Sequence, residues 1–374
     1  MPSTTLRQSI LAGARRLVVK FGTQLLTGDD GHLDVAYIHE MASQIAALRK
    51  DGYEITVVSS GAIGAGLAEL KMDKRPRDVA ELQAVAAVGQ RRLMTYLHDA
   101  FLPHSLGVGQ VLVTRGDFDD RQRYLNIRNC ITHLHRLGCV PILNENDTVA
   151  VEELRFGDND QLAALTCNAL RADALILLTV VNGLLDEKGQ RIDLVDELAA
   201  VQGHVRAEKS RLGSGGMQSK LTSVGLATEA GEIAVIANGR EPNVLRRLLA
   251  GEADLGTVFA PAKKKLDARQ RWIGLTKRPA GMLTIDDGAL AALKRGKSLL
   301  PAGIKKVEGT FDRGDVIAVL DKEGHEVARG LSNYSADETR LIQGLKSSQL
   351  GKTLGREAYD EVIHRDHLVM TGKT

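Results

Sequence analysis

The stretch Pro141-Ile142-Leu143-Asn144-Glu145-Asn146-Asp147 contains the end of a short apolar run, residues 139–143, and the four polar residues that directly follow it. A second polar turn, Gly157-Asp158-Asn159-Asp160, opens an apolar segment with helical character at residues 161–170. Open α/β sheets place ligand-binding groups in such loops, at the carboxyl ends of their strands. Two such loops, both with carboxylates and carboxamides, predict a site for a small molecule with ammonium or carboxylate groups. Solvated turns are the alternative, because Asn, Asp and Gly also favour turns.

The same alternation of strand-like and helix-like segments extends over residues 1–260. Residues 35–50, 80–100 and 121–137 carry apolar side chains at the helical period. Between them lie apolar, strand-like runs at residues 16–21, 55–58, 108–114, 139–143, 174–179 and 232–236. This alternation predicts an α/β fold in which helices cover both faces of a mostly parallel sheet.

The pattern changes after residue 260. A basic stretch that contains proline begins at residue 261, and we expect a linker over residues 261–275. Short strand-like runs broken by glycine follow at residues 281–285, 303–307, 316–320 and 325–329. The sequence therefore predicts a main domain at residues 1–260 and a small β-rich domain at residues 276–374.

Composition excludes several classes of function. A hydrophobic content of 43% and a charged content of 26% are typical of a soluble globular protein. The net charge of +2 gives no general attraction to nucleic acid or anionic membranes, and 3% aromatic residues leave few platforms for stacking bases. RNA binding by the small domain is therefore not expected. No apolar run is long enough to cross a membrane, and three cysteines without paired spacing indicate a reducing compartment. We expect a cytoplasmic protein.

Three segments offer groups that bind anions, two at predicted strand ends and one before a predicted helix. Lys20 stands at the end of the first strand, where a lysine reaches a phosphate oxygen. Residues 59–66 lead from the second strand into a helix, whose N-terminus favours an anion. Residues 210–220 are the strongest candidate for a glycine-rich phosphate loop, because they contain three glycines and end in Lys220 at the start of a helix. A surface lysine, a tight turn and a flexible loop are the respective alternatives.

Together these loops supply two lysines, backbone-amide cradles and a cluster of acids, without an apparent pair of nucleophile and base. In phosphoryl transfer, positioning and charge neutralisation perform most of the catalysis. The residue types therefore suit direct phosphoryl transfer.

These motifs resemble the amino acid kinase family over nearly the whole chain. The matching segments are VVKFGT at 18–23, SSGAIGAG at 59–66, AAVGQ at 86–90, NENDTV at 144–149, GDNDQLAA at 157–164 and GSGGMQSK at 213–220. The segments SLLPAGI at 298–304, EGTFDRGD at 308–315 and ARGLSNYS at 328–335 resemble a PUA domain. The resemblance implies ATP-dependent phosphorylation of the γ-carboxylate of L-glutamate, the first step of proline biosynthesis.

The resemblance also implies roles for individual residues. Lys20 and Lys220 would contact the transferred phosphate, with Asp158 orienting both lysines. Glutamate would be bound by Ser60, Asp147 and Asn159, and we expect Asp147 to pair with the ammonium and Asn159 to donate to a carboxylate. The cofactors would be ATP and Mg²⁺, without a protein residue assigned to the metal. The implied nucleotide site consists of Lys20, Thr179, Val180, Ser214, Gly215, Gly216, Met217, Gln218, Ser219 and Lys220.

The chain departs from the family pattern after the strand that ends near Leu178. The family carries Thr-Asp where this sequence has Thr179-Val180, and Arg211 stands where a small residue is usual. A lost hydrogen bond to a charged group is worth about 1.5–3 kcal/mol, roughly a tenfold to hundredfold effect on binding. Val180 therefore predicts weaker nucleotide binding or a changed nucleotide preference.

The resemblance implies partners as well: a homo-oligomer (dimer or tetramer), feedback inhibition by proline, and channelling of the product to glutamate-5-phosphate reductase.

Two other functions remain open at this point. One is a kinase for another acidic amino acid. The other is an RNA-binding or regulatory protein with a decayed kinase site, which Val180 favours and the low aromatic content disfavours.

Overall fold

The computed structural model describes residues 3–28, 32–150, 159–201, 216–262 and 265–371. The chain divides into two compact units, Met1–Lys265 and Leu266–Thr374. The division falls within residues 261–275, the stretch that the sequence predicts as a linker. No helix of the described ranges is long and apolar enough to cross a membrane.

A mostly parallel sheet forms the centre of the first unit. Its strand order is β3-β4-β2-β1-β5-β7-β8-β6, and every neighbouring pair is parallel except β7 and β8. The strands are β1 (Arg16–Phe21), β2 (Glu54–Val58), β3 (Val108–Val113), β4 (Val140–Glu145), β5 (Ala174–Thr179), β6 (Leu194–Val195), β7 (Ile233–Asn238) and β8 (Thr257–Phe259). The predicted α/β fold is confirmed. The sequence did not reveal β6 and β8, because strands of two and three residues are too short to show a period.

Aspartate caps mark where the long helices of this unit begin. Asp34, Asp78 and Asp120 each accept a hydrogen bond from a backbone N–H in the first turn of α3, α5 and α7. The helices are α1 (Ser3–Leu11), α2 (Thr23–Leu26), α3 (Val35–Lys50), α4 (Ala62–Glu69), α5 (Val79–Phe101), α6 (Arg115–Asp119), α7 (Arg121–Arg136), α8 (Asp160–Leu170), α9 (Leu198–Val201), α10 (Met217–Ala230) and α11 (Val244–Leu249), with a 3-10 turn at Leu102–His104.

The central strands are buried along almost their whole length, as expected when helices cover both faces of a parallel sheet. On one face, Leu17 and Val19 of β1 join Ile38 and Ile45 of α3 in a single apolar core. Each such side chain contributes about 1.5–3 kcal/mol when it is fully buried.

The register of the sheet brings the polar strand ends to one edge. Lys20 pairs with Val58 of β2 and with Leu177 of β5. Val58 in turn pairs with Leu143 of β4, directly before Asn144. The segments that follow β1, β2, β4 and β5 therefore emerge side by side.

The second unit is a five-stranded sheet with order β10-β9-β11-β12-β13 in which only β9 and β11 are parallel neighbours. The predicted β-rich domain is confirmed, although the sequence did not reveal its last strand or its helices. Its strands are β9 (Gly281–Ile285), β10 (Ile304–Gly309), β11 (Val316–Leu320), β12 (Glu326–Leu331) and β13 (Leu368–Met370). Its helices are α12 (Ala268–Arg271), α13 (Asp287–Lys294), α14 (Ala336–Ile342) and α15 (Ser347–Leu354), with a π-helix at Trp272–Thr276 and 3-10 turns at Pro301–Gly303 and Arg365–His367.

Two glycines let α4 and α5 touch along their backbones. A methyl group added at Gly89 would overlap the carbonyl oxygen of Ala62, and one added at Gly66 would overlap that of Val85. Glycine is the residue that permits so close an approach. The crossing holds the first turn of α4, and the loop that leads into it, against α5.

We predict that Gly89→Ala destabilises the protein by about 1–3 kcal/mol, because the two helices must move apart to admit the methyl group. Urea unfolding of the full chain, followed by circular dichroism, measures the change. Gly13→Ala is the control, since a methyl group there meets no atom within 4 Å. A Gly89→Ala protein as stable as the wild type would contradict the close crossing.

Candidate active site

One buried carboxylate binds two lysines at the carboxyl edge of the main sheet. Asp160 Oδ1 lies 2.5 Å from Lys20 Nζ, and Asp160 Oδ2 lies 2.9 Å from Lys220 Nζ. Asp160 is fully buried, and the lysines are only 5% and 9% exposed. Two ammonium groups held close together at this point favour an anionic ligand.

Each member of this cluster stands at the end of a regular element. Lys20 lies one residue before the end of β1, Asp160 is the first residue of α8, and Lys220 lies in the first turn of α10. Every residue of α8 except Gln161 is buried, so the first side chain of this helix enters the interior. The elements thus deliver the three charged groups to one point.

Asp160 is ionised at neutral pH. Burial alone would raise the pKa of its carboxyl, but the charges of Lys20 and Lys220, with their hydrogen bonds, outweigh burial and lower the pKa to about 2. The carboxylate therefore keeps the two lysines in place over the whole physiological range of pH.

From the sequence, we assigned the contact with both lysines to Asp158. Asp158 lies outside the described residues, so its role stays a prediction, and within the described residues Asp160 contacts both lysines. The sequence does hold a signal for Asp160, because it directly precedes the apolar segment 161–170. When a helix is buried on all sides, the side chain of its first residue is expected to be buried as well.

A network of buried amides lies beside the charged cluster. Asn159 Nδ2 donates to the backbone oxygen of Ser59 at 2.5 Å, to Asn144 Oδ1 at 2.7 Å and to Ser60 Oγ at 3.2 Å. A backbone carbonyl only accepts, so the contact with Ser59 fixes which end of the Asn159 amide is the nitrogen.

This orientation corrects one expectation from the sequence. We expected Asn159 to donate a hydrogen bond to a substrate carboxylate, but both hydrogens of its Nδ2 are used within the protein. The remaining Oδ1 can only accept a hydrogen bond. Asn144, which the sequence placed in a motif without a role, is a buried member of the same network.

Asp147 lies on the same edge, in the turn that follows β4, and is half-buried. The backbone N–H of Asn146 donates to Val113 O at 2.8 Å, and that of Ala150 donates to Asn146 O at 3.0 Å, so the turn is tied to the end of β3. The structure thus places Ser60, Asp147 and Asn159 at the ends of neighbouring elements of one sheet edge.

The first turn of α10 is suited to an anion. It contains Met217, Gln218, Ser219 and Lys220 without an acidic residue, and the preceding Gly216 is extended, with φ −71° and ψ 178°. The first N–H groups of a helix lack partners within the helix, and the helix dipole makes this end positive. Ser214 and Gly215, also predicted for the nucleotide site, lie outside the described residues.

The ends of β1 and β5 approach each other closely at Gly22. Its backbone N–H donates to Leu178 O at 3.0 Å, and a methyl group at this position would lie 3.2 Å from that oxygen. Thr179 ends β5, and the side chain of Val180 directly after it is 44% exposed.

Within the described ranges, the structure has no group of three or more His, Cys, Asp or Glu residues able to hold a metal ion.

Comparison with known proteins agrees with this geometry. Residues 15–238 match the model of the amino acid kinase family, and residues 281–354 match that of the PUA domain. The glutamate 5-kinase of Paraburkholderia phytofirmans is 46% identical over 371 residues, which cover 97% of this chain and all of that protein. The glutamate 5-kinase of Caldanaerobacter subterraneus subsp. tengcongensis is 43% identical, over 95% of this chain and 97% of that protein.

Among solved structures, the N-acetylglutamate synthase of Neisseria gonorrhoeae aligns with a TM-score of 0.51 at 15% identity, over 70% of this chain and 63% of that one. This likeness shows a shared fold alone. The sequence matches show more: the chain belongs to the amino acid kinase family, within it to the glutamate 5-kinases, and it carries a C-terminal PUA domain.

We predict that the stability contributed by Asp160 is lost at acid pH. Because its pKa in the folded state lies below the ordinary value of 3.8, the ion pairs stabilise the fold above that value. Their contribution, on the order of 2 kcal/mol, is lost as pH falls from about 4 to about 2. Urea unfolding of wild type and Asp160→Asn from pH 7 to pH 2 should show a difference that is constant near neutrality and shrinks in this window.

The control is Asp99→Asn, the same change at an exposed position of α5. It should not alter the pH profile. A difference between wild type and Asp160→Asn that persists unchanged to pH 2 would contradict the ion-pair assignment.

Proposed function

We propose that this protein transfers the γ-phosphoryl group of ATP to the γ-carboxylate of L-glutamate, giving L-glutamate 5-phosphate and ADP, the first step of proline biosynthesis. The observation that carries the proposal is the cluster in which Asp160 holds Lys20 and Lys220 side by side at the carboxyl edge of the sheet. Identity of 46% to a glutamate 5-kinase over the whole length of that relative supports the choice of substrate.

The chemistry follows from the charges in the site. A γ-carboxylate oxygen attacks the γ-phosphorus of ATP, a new P–O bond forms, and the bond to the ADP oxygen breaks with its electron pair leaving on ADP. The carboxyl group of glutamate has an ordinary pKa of about 4.3, so at neutral pH it is already ionised and needs no general base. The obstacle is repulsion between two anions. Lys20 and Lys220 offset it where the charge develops, and Asp160 keeps both ammonium groups in position.

Recognition of the amino acid falls to the neighbouring polar loops. In this proposal, Asp147 and the Oδ1 atom of Asn159 accept hydrogen bonds from the substrate ammonium. Ser60 Oγ accepts from Asn159 Nδ2 at 3.2 Å, and the hydroxyl proton of Ser60 donates to a substrate carboxylate. A pocket with acceptors for an ammonium selects a free amino acid.

The nucleotide lies along the first turn of α10, with Gly216, Met217, Gln218 and Ser219 next to its phosphates. Ser214 and Gly215 belong to the same proposed site, and Thr179 and Val180 border it at the end of β5. Mg²⁺, when bound with the nucleotide, would supply further neutralisation of charge. Asp160 is engaged by two lysines, so the phosphates and water fit the metal better than this carboxylate does.

The remaining expectations from the sequence stand as proposals. They are a cytoplasmic location, a homo-oligomer of two or four chains, feedback inhibition by proline, and channelling of the product to glutamate-5-phosphate reductase. Channelling has a chemical reason, because water readily hydrolyses an acyl phosphate.

We predict that purified protein with ATP, Mg²⁺, L-glutamate and hydroxylamine forms γ-glutamyl hydroxamate. L-Aspartate and N-acetyl-L-glutamate, tested at the same concentration, should form far less product, which separates this reaction from that of a kinase for another acidic amino acid. Reactions without ATP are the control. Hydroxamate no higher than in that control would refute the proposed function.

We predict that Lys220→Ala lowers kcat by about a hundredfold or more while the KM for glutamate changes little, because the ammonium acts on the transferred phosphoryl group. Steady-state kinetics with each substrate varied in turn measures both parameters. Lys50→Ala, the same change at an exposed position of α3, is the control. Unchanged turnover in Lys220→Ala would remove this lysine from the chemical step.

A further inference from the structure

The amide network extends from the strand ends into helix α5. Asn144 Nδ2 donates to Gln90 Oε1 at 2.6 Å, so Gln90, Asn144 and Asn159 form a chain of three side-chain amides. Gln90 lies in the segment 86–90, a motif without any assigned role, and it is distant in sequence from both asparagines.

The hydrogen bonds among these three amides can run in only one direction. The backbone oxygen of Ser59 fixes Nδ2 of Asn159, which must then face an acceptor, Asn144 Oδ1. Asn144 is thereby left to donate, and Gln90 Oε1 is the acceptor of that bond. Reversing any one amide would bring two NH₂ groups or two oxygens together, and a buried polar group without its hydrogen bond costs about 1–3 kcal/mol.

Gln90 lies in the closely packed part of α5. Its neighbour Gly89 lies against Ala62, and Gly66 lies against Val85, so the backbones of α5 and the start of α4 are in contact here. Gln90 accordingly offers its acceptor from a helix that is packed against the start of α4. Its own Nε2 is buried without a hydrogen-bond partner in the described part of the protein, so within the network Gln90 acts through Oε1.

We propose that Gln90 is a positioning residue for the amino-acid pocket. By holding the amide of Asn144, Gln90 keeps Asn144 Oδ1 towards Asn159, so that Asn159 Nδ2 has Asn144 Oδ1 as well as Ser59 O as acceptors and its Oδ1 is the atom left for the substrate ammonium. Without Gln90 Oε1, Asn144 is free to rotate. Asn159 then keeps its bonds to Ser59 and Ser60 but loses the one to Asn144, so its amide is held less tightly. The inference rests on the proposed function, since it assigns Gln90 to the glutamate half of that site.

The test compares Gln90→Met with wild type in the hydroxamate assay. The KM for glutamate should rise about tenfold or more, with the KM for ATP within about twofold of wild type. Gln44→Met is the matched control, because the buried Oε1 of Gln44 accepts a hydrogen bond from Leu245 N at 3.1 Å on a different helix. It should lower stability without moving the KM for glutamate.

A double-mutant cycle shows whether Gln90 acts through Asn159. In an Asn159→Ala background, Gln90→Met should add little to the KM for glutamate, because the amide that Gln90 orients is absent. Where turnover is too low, calorimetry gives the Kd for glutamate instead. Additive effects would overturn the proposal, and so would an equal rise of both KM values in Gln90→Met.

Gln90→Glu provides a second variant if Gln90→Met does not fold. Its carboxylate still accepts from Asn144 Nδ2, so its KM for glutamate should stay closer to wild type than that of a variant without an acceptor, Gln90→Leu. An equal loss in both variants would overturn the proposal. Activity of the wild type tests the proposed function separately: a wild type without activity refutes that function, whereas an active wild type with unaltered variants refutes only the role of Gln90.

Discussion

The site depends on the contact of one buried carboxylate with two buried ammonium groups. A buried charge is costly unless it is paired, so the contacts among Lys20, Asp160 and Lys220 stabilise the surrounding structure. These contacts join the end of β1 to the starts of α8 and α10. The two ammonium groups also attract phosphate. The group that holds the lysines in place therefore sets where they can act on a ligand.

The turn into α8 serves both halves of the proposed reaction. Asn159 and Asp160 are consecutive, yet Asn159 joins the neutral amide network while Asp160 joins the charged cluster. Because both are set by the same turn of backbone, the amino-acid half and the phosphoryl half keep a constant separation. The close crossing of α4 and α5 adds a second constraint, since it sets how the helix that carries Gln90 packs against the start of α4. The packing of helices and strands therefore sets the geometry of the site.

Much of the fold could be predicted from sequence, because the long elements have clear periods. The predicted strands at residues 16–21 and 174–179 and the predicted helix at residues 35–50 have the bounds of β1, β5 and α3. Strands β6, β8 and β13 are only two or three residues long, and such segments gain their structure from pairing with a neighbour. In the second unit, the sequence pattern did not predict short helices such as α13, which lie between strand-like runs broken by glycine. Local periodicity had too few residues there to indicate a helix.

The sequence by itself determined the class of fold, the polar loops at the strand ends and the residue types of the site. Those features depend on local composition and spacing, which a chain carries without being folded. Only the tertiary structure decided that Asp160 contacts both lysines, that Asn159 donates from Nδ2 to Ser59 and Asn144, and that Gln90 belongs to the network of amides. Each of these facts depends on a distance or an orientation between groups remote in sequence. Spacing along the chain does not contain that information, because only packing brings such groups together.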